Sequence, residues 1–160
     1  MSLEKIARQA SDILIFIAAI GLVLMTAIVG WQVFGRYVLG QSPDWSEQAS
    51  LALMIWYIFL ASAVGVREGF HIRIVALENT VYPKARHYMQ IISQLVILIS
   101  GLLMFVYGLQ LVILTWSHAV PTLPLTRGMV YLAVPLGGLL IALFSLERLV
   151  NLVSNRQVAS

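Results

Sequence analysis

Cysteine is absent, charge is scarce and only five prolines occur in the 160 residues. Without cysteine there is no disulfide, no thiolate metal site and no quinone-linked disulfide chemistry. Charged residues make up 11% of the chain, far below the roughly 25% of an average soluble domain. The formal charge of +3 therefore does not describe a nucleic-acid surface, because the basic groups are divided among several short connections. Acidic and basic side chains are missing altogether from four long stretches: Ile13 to Gly35, Gln48 to Val66, His87 to Thr126 with an amphipathic end, and Gly128 to Leu146.

What fills those stretches is apolar. Apolar residues are 60% of the chain and the mean hydropathy is +0.90, whereas soluble domains hold about 45–50%. A helix of about 20 residues crosses a hydrocarbon core of about 30 Å, and each stretch is long enough. Inside a bilayer the backbone must satisfy itself, and these runs are too uniform to alternate like barrel strands. The expectation is an all-α integral membrane protein: one four-helix membrane domain over residues 1–160, with spans at about 13–35, 48–66, 89–116 and 128–146. Lys5 and Arg8 before the first run resemble the start of a secretory signal. The run is longer than a signal core of about 7–15 residues and no small-residue cleavage site follows, so it reads as a retained span.

Basic residues orient the spans. Lys5, Arg8, Arg67, Arg73, Lys84, Arg86, Arg148 and Arg156 fall on one side, and only Arg36 and Arg127 on the other. The positive-inside rule then predicts cytoplasmic termini and a cytoplasmic 67–87 connection, with the 36–47 and 118–127 connections outside.

Local signals refine the spans. Ser42-Pro43-Asp44-Trp45-Ser46-Glu47 predicts a helix start, with Pro43 in the first turn and an Asp44/Glu47 capping box. Pro135 removes a hydrogen bond to the carbonyl of Tyr131 and predicts a kink. Small residues mark close helix approach: Ala61 and Gly65, then Gly101 and Gly108 in seven-residue register with Gln94, then Ala133 and Gly137. Trp31, Tyr37, Trp45 and Trp116 suit an outer aromatic belt, while Trp56 and Tyr57 sit mid-span, where packing within the unit and burial against another protein are both open. Between spans 2 and 3, Phe70 to Tyr82 mixes apolar residues with His71, Arg73 and Glu78. That pattern fits a short interfacial helix between helices 2 and 3, with an irregular loop ahead of Pro83 as the alternative.

Chemistry is conspicuous for what is not there. A carrier usually shows ionisable groups, broken helices or repeated halves within its spans, and a haem anchor needs paired intramembrane histidines. All 17 charged residues lie outside the span cores, and His71, His87 and His118 fall at span ends or in connections. No zinc-protease helix, phosphate loop or nucleophile elbow is present, so neither an enzyme nor a bound cofactor is expected. Polar residues gather at the two faces: Arg36 opposite Asp44 and Glu47, either as an ion pair or as separate solvated charges, and Arg67 with Glu68 before Gly69.

Taken in order, these residues resemble the small membrane subunit, the Q or DctQ-like subunit, of tripartite ATP-independent periplasmic (TRAP) transporters. The matching elements are Gly35-Arg36-Tyr37-Val38, Pro43-Asp44-Trp45-Ser46-Glu47, Arg67-Glu68-Gly69-Phe70-His71-Ile72, and Pro121, Leu123, Pro124, Tyr131, Pro135, Leu136 and Gly137. Together they cover about residues 10–150. One position departs: where the family often carries a second acidic residue after the span 2 Glu, this chain has Gln48.

The resemblance implies a bacterial inner-membrane subunit that scaffolds a large multi-span transport subunit, M. It also implies a soluble periplasmic binding protein that delivers an organic acid, a dicarboxylate or a sialic acid, for sodium-driven import. In that frame Arg36, Tyr37, Trp45, Glu47, Pro124 and Arg127 belong to the outer face and Arg67, Glu68 and His71 to the inner face. Gln48, Trp56, Tyr57, Gly65, Gly101, Gly108, Pro135 and Gly137 are expected to pack helices internally or onto M. The expected partners are M, the binding protein and membrane lipid, and no nucleic acid. The competing class is a non-transport scaffold, such as the membrane anchor of an electron-transfer complex, and an autonomous small carrier would have to transport unaided.

Overall fold

The computed structural model describes residues 3–68 and 83–158, with side chains described over 8–68 and 87–154. Five helices follow in order: α1 (Leu3–Tyr37), α2 (Trp45–Glu68), α3 (Pro83–Thr115), the short α4 (Arg127–Tyr131) and α5 (Ala133–Val158). Four segments are long and apolar enough to cross a bilayer: Arg8–Tyr37, Trp45–Glu68, His87–Thr115 and Arg127–Ser154. The all-α, four-span architecture expected from the sequence is therefore present. The expected interfacial helix, and His71 with it, fall outside the described residues.

The helices stand in a row. α1 lies against α2, α2 against α5, and α5 against α3, so that α1 and α3 occupy the two ends. α1 makes its contact through a narrow seam: Ser11, Leu14, Ala18, Gly21, Met25, Ile28, Gln32 and Gly35 are buried or half-buried, while their large neighbours Phe16, Val23 and Trp31 are exposed. The alternating spacing of three and four residues is the seam of a left-handed helix pair. On the facing helix, the Tyr57 Cβ lies 3.2 Å from where a Cβ on Gly21 would stand.

The contact between α3 and α5 is closer. A Cβ on Gly101 would come within 2.9 Å of the Gly138 carbonyl oxygen and the Ala142 nitrogen, and one on Gly108 within 2.9 Å of the Pro135 nitrogen. Glycine is required at both because backbone meets backbone there. On the other side of α5, a Cβ on Gly137 would meet the Phe59 Cβ of α2 at 2.8 Å. Near the end of the row that carries Arg67, Ala63, Val66, Ile141 and Phe144 form a buried cluster, with Leu14, Ile97, Met104 and Leu140 packed against it.

Not every end follows the sequence expectation. That of the third span does: its helix stops at Thr115, close to the expected 116, and the expected 118–127 connection turns back as a tight hairpin. The Val120 N–H donates to the Leu125 carbonyl at 2.9 Å, and the Arg127 N–H to the His118 carbonyl at 2.8 Å. The helix of span 2 starts at Trp45, so Pro43 lies ahead of the first turn. Among the described residues no Asp44/Glu47 capping box forms; the Ser46 hydroxyl instead donates to the Pro43 carbonyl at 2.7 Å. The predicted break near Pro135 appears as the interruption at Leu132 between α4 and α5, and the Tyr131 carbonyl is the one Pro135 cannot engage.

Candidate functional site

Two polar ends and one internal lock are the places where this fold holds chemistry. At one end, α1 closes over Gly35, where the Gln41 N–H donates to the Gly35 carbonyl at 3.0 Å. A Cβ at Gly35 would lie 2.8 Å from the Gln41 carbonyl oxygen, so the turn needs glycine. The 118–127 hairpin stands beside this turn and is tied to it: the Thr122 hydroxyl donates to the Asp44 carbonyl at 3.1 Å. Thr122 has φ 69°, a left-handed conformation that costs a β-branched residue about 1–3 kcal/mol. Its hydrogen bond and the hairpin around it hold the residue there.

The same end presents Arg36, Tyr37, Trp45, Glu47, Pro124 and Arg127, all exposed. Among the described residues no ion pair joins Arg36 to Asp44 or Glu47, so of the two readings of these charges the solvated one holds. Trp31 and Trp116 are about half exposed. Between the start of α2 and the hairpin lies an open cleft of about 350 Å³, lined by Ala49, Leu53, Trp56, Leu123, Leu125 and Met129 among others. No charged side chain lines it.

At the other end, α2 finishes on Arg67 and Glu68, and α5 brings Glu147 and Arg148 beside them. Arg67 Nη1 stands 3.4 Å from Glu68 Oε1, and Arg67 Nε 3.9 Å from Glu147 Oε2. Arg148 Nη1 donates to the Val66 carbonyl at 3.0 Å and reaches the Arg67 carbonyl at 3.5 Å. A cation thus caps the negative end of the α2 dipole from a neighbouring helix, satisfying carbonyls that α2 itself leaves free.

Inside the unit, the Ser145 hydroxyl of α5 lies 2.8 Å from the Gln94 carbonyl and 2.9 Å from Gln94 Oε1. Both residues are buried. With one proton to share between two acceptors, Ser145 ties the α3 backbone and side chain to α5, and the contact is spent on structure. Among the described residues no group of three or more His, Asp or Glu gathers as a metal site.

The residues singled out from sequence separate by position. Gly101, Gly108, Pro135 and Gly137 are buried between helices of this chain. Gln48, Trp56, Tyr57 and Gly65 are half-buried, Trp56 in the cleft and Tyr57 toward α1. Ala61, paired with Gly65 in the sequence reading, is exposed; α2 packs through Leu60, Ala63, Val64 and Val66 instead. Sequence reasoning passed over Ser145, Glu147, Thr122 and Gly138, and read Arg148 only as a charge that orients the spans. Only Gly138, adjacent to Gly137, carried a visible small-residue signal.

The sequence that folds into this row of spanning helices with polar ends matches a known family over most of its length. The profile of the DctQ component of tripartite ATP-independent periplasmic transporters matches residues 25–155. The chain belongs to the DctQ family. The sialic acid TRAP transporter small permease protein SiaQ of Vibrio cholerae is 22% identical over 96% of this chain and 88% of its own. The ectoine TRAP transporter small permease protein TeaB of Halomonas elongata is 25% identical over 89% of this chain and 75% of its own. Members of this family are non-catalytic transporter subunits, and this chain is a multi-pass protein of the bacterial inner membrane. Family membership does not favour the electron-transfer anchor reading.

Proposed function

We propose that this chain is the bracing subunit of a sodium-driven TRAP importer for an organic acid, working with a large multi-span subunit and a periplasmic binding protein. One observation carries the reading: the stretches 13–35, 48–66, 87–115 and 128–146 within the four spanning segments hold no charged side chain, and the buried Gln94 and Ser145 are bonded to each other. Moving a charged solute or a coupling ion needs partners at depth. Those partners then belong to another subunit, and this chain supplies a fixed, apolar wall.

The end that carries the hairpin is the periplasmic one in this reading, as the eight-to-two division of basic residues predicts. The hairpin and the start of α2 then form an outer platform near the docked binding protein. Glu47 and Arg127, exposed on that platform, supply charges of both signs to steer the encounter. The two relatives are named for different solutes, which fits a subunit that does not itself choose the solute.

Affinity purification of the tagged chain from native membranes tests the assembly. A much larger multi-span protein is expected to travel with it, and recovery of a haem- or quinone-bearing enzyme in its place would overturn the proposal. Charge reversal at Glu47 or Arg127 is expected to slow uptake when the binding protein is limiting. Uptake unchanged at limiting binding protein would remove the docking role.

A further inference from the structure

The two end helices of the row carry different outward faces. On α1, the only polar side chain between Ile13 and Val29 is Thr26, and its hydroxyl is spent on its own helix, donating to the Leu22 carbonyl at 2.8 Å. On α3 the outward face holds Ser93, Ser100, Tyr107 and Gln110, all exposed, Tyr107 by 63%. None of the four has a hydrogen-bond partner among the described residues, although Thr115 on the same helix bonds back to the Leu111 carbonyl.

These four form a strip. Ser93, Ser100 and Tyr107 recur every seven residues and so fall within about 40° of one line along the helix, while Gln110 lies about 60° further round and widens the strip toward the Thr115 end of the helix. From Ser93 to Gln110 the strip runs roughly 25 Å, most of a hydrocarbon core. It borders the Gln94, Gly101 and Gly108 line that packs on α5. Acyl chains offer a hydroxyl or an amide no partner at that depth, whereas a neighbouring helix does. The two serines are also small enough to let a second backbone approach.

We propose that this strip of α3 is the face on which the large membrane subunit docks, through hydrogen bonds to polar side chains or freed carbonyls of a helix laid along it. The α1 edge is left to lipid. The inference rests on the reading of this chain as a bracing subunit, and adds which edge does the bracing. It also follows that the partner helix carries its polar groups at matching depths on one face.

Photo-crosslinking in the assembled complex tests it. A benzoylphenylalanine is introduced at Ser100 or Tyr107 on α3, and separately at Ile20 or Val23 on α1, in the tagged chain produced with its natural partners in native membranes. Adducts to a larger membrane protein are expected from the α3 positions and not from the α1 positions. Adducts from α1 alone, adducts of twice the mass of this chain, or lipid adducts only at α3 would overturn the inference. Co-purification of the large subunit in the same samples is read independently: its absence would sink the functional reading itself, while its presence with the wrong crosslinks sinks only the docking face. As a second measurement, Gln110→Leu and Ser100→Ala are each expected to lower recovery of the large subunit about 3-fold. The melting temperature of the isolated chain should stay unchanged, because both side chains point away from its own packing. Undiminished recovery, or a fall matched by loss of the isolated chain's stability, would contradict the assignment.

Discussion

In the most apolar stretch of α1, 6% of residues are buried; in that of the Arg127–Ser154 segment, half are, although both are long and apolar enough to cross a bilayer. Apolar content is what a span needs to enter the membrane, so it cannot distinguish a helix that faces lipid or a partner from one at the centre of the unit. What separates them is small residues in register with a neighbour's backbone. The segment containing α5 has Gly128, Pro135, Gly137 and Gly138 each against another helix. α1 has only the Gly21 approach to Tyr57, while a Cβ at Gly30 would meet nothing within 4 Å.

Mutations can break that contrast. Leucine at Gly138 would drive its Cβ to 2.8 Å from the Gly101 carbonyl oxygen and the Phe105 nitrogen. An expected loss of about 3 kcal/mol or more would appear as loss of monodisperse protein or a large drop in melting temperature in detergent. Leucine at Gly30 should change neither, and equal damage at the two sites would mean that α1 is packed after all. Ser145→Ala removes the hydroxyl that serves Gln94, and a cost of about 1 kcal/mol is expected by the same thermal measurement. Val23→Ala on the exposed face of α1 should fall within about 0.5 kcal/mol of the parent.

Arg148→Met sharpens the comparison at the opposite end from the hairpin. It frees the Val66 carbonyl, and a loss of about 1 kcal/mol with faster amide exchange in the last turn of α2 is expected. Exchange unchanged there would argue that water already serves those carbonyls. A similarly small net effect is expected at Thr122, where glycine relieves the positive φ but gives up the bond to the Asp44 carbonyl. The two terms are of similar size, so Thr122→Gly should leave the melting temperature nearly unchanged while loosening the hairpin in hydrogen exchange.

How much of this was legible in the sequence depends on the range of each interaction. Four spans were plain because apolarity over about 20 residues is a local property. Gly101 and Gly108 could be read because a missing side chain at seven-residue spacing is itself the record of a close neighbour. Ser145 and Arg148 could not, because their partners lie 51 and 82 positions away and a single serine or a basic residue at a span end looks ordinary. The capping box at Asp44 failed for a nearby reason. The helix begins at Trp45 and the Ser46 hydroxyl turns back to the Pro43 carbonyl, a competition that residue types alone do not decide. The 118–127 connection was legible but its hairpin form was not, since Pro121 and Pro124 break a helix without revealing where the chain goes next.

The residues expected at the end that carries the hairpin show the same division. That Arg36, Trp45, Glu47 and Arg127 would lie at one end was legible from the alternation of spans, and the structure has all four exposed there. That the Asp44 backbone and Thr122 would be joined was not, because the link runs through a main-chain carbonyl that every residue possesses.

Sealed vesicles containing this chain alone, given a sodium or a proton gradient and labelled sialic acid, a dicarboxylate or ectoine, test most directly whether it braces a pathway or forms one. No accumulation above empty vesicles is predicted, with uptake appearing only when the large subunit and the binding protein are added. Gradient-driven accumulation by this chain alone would contradict the bracing role.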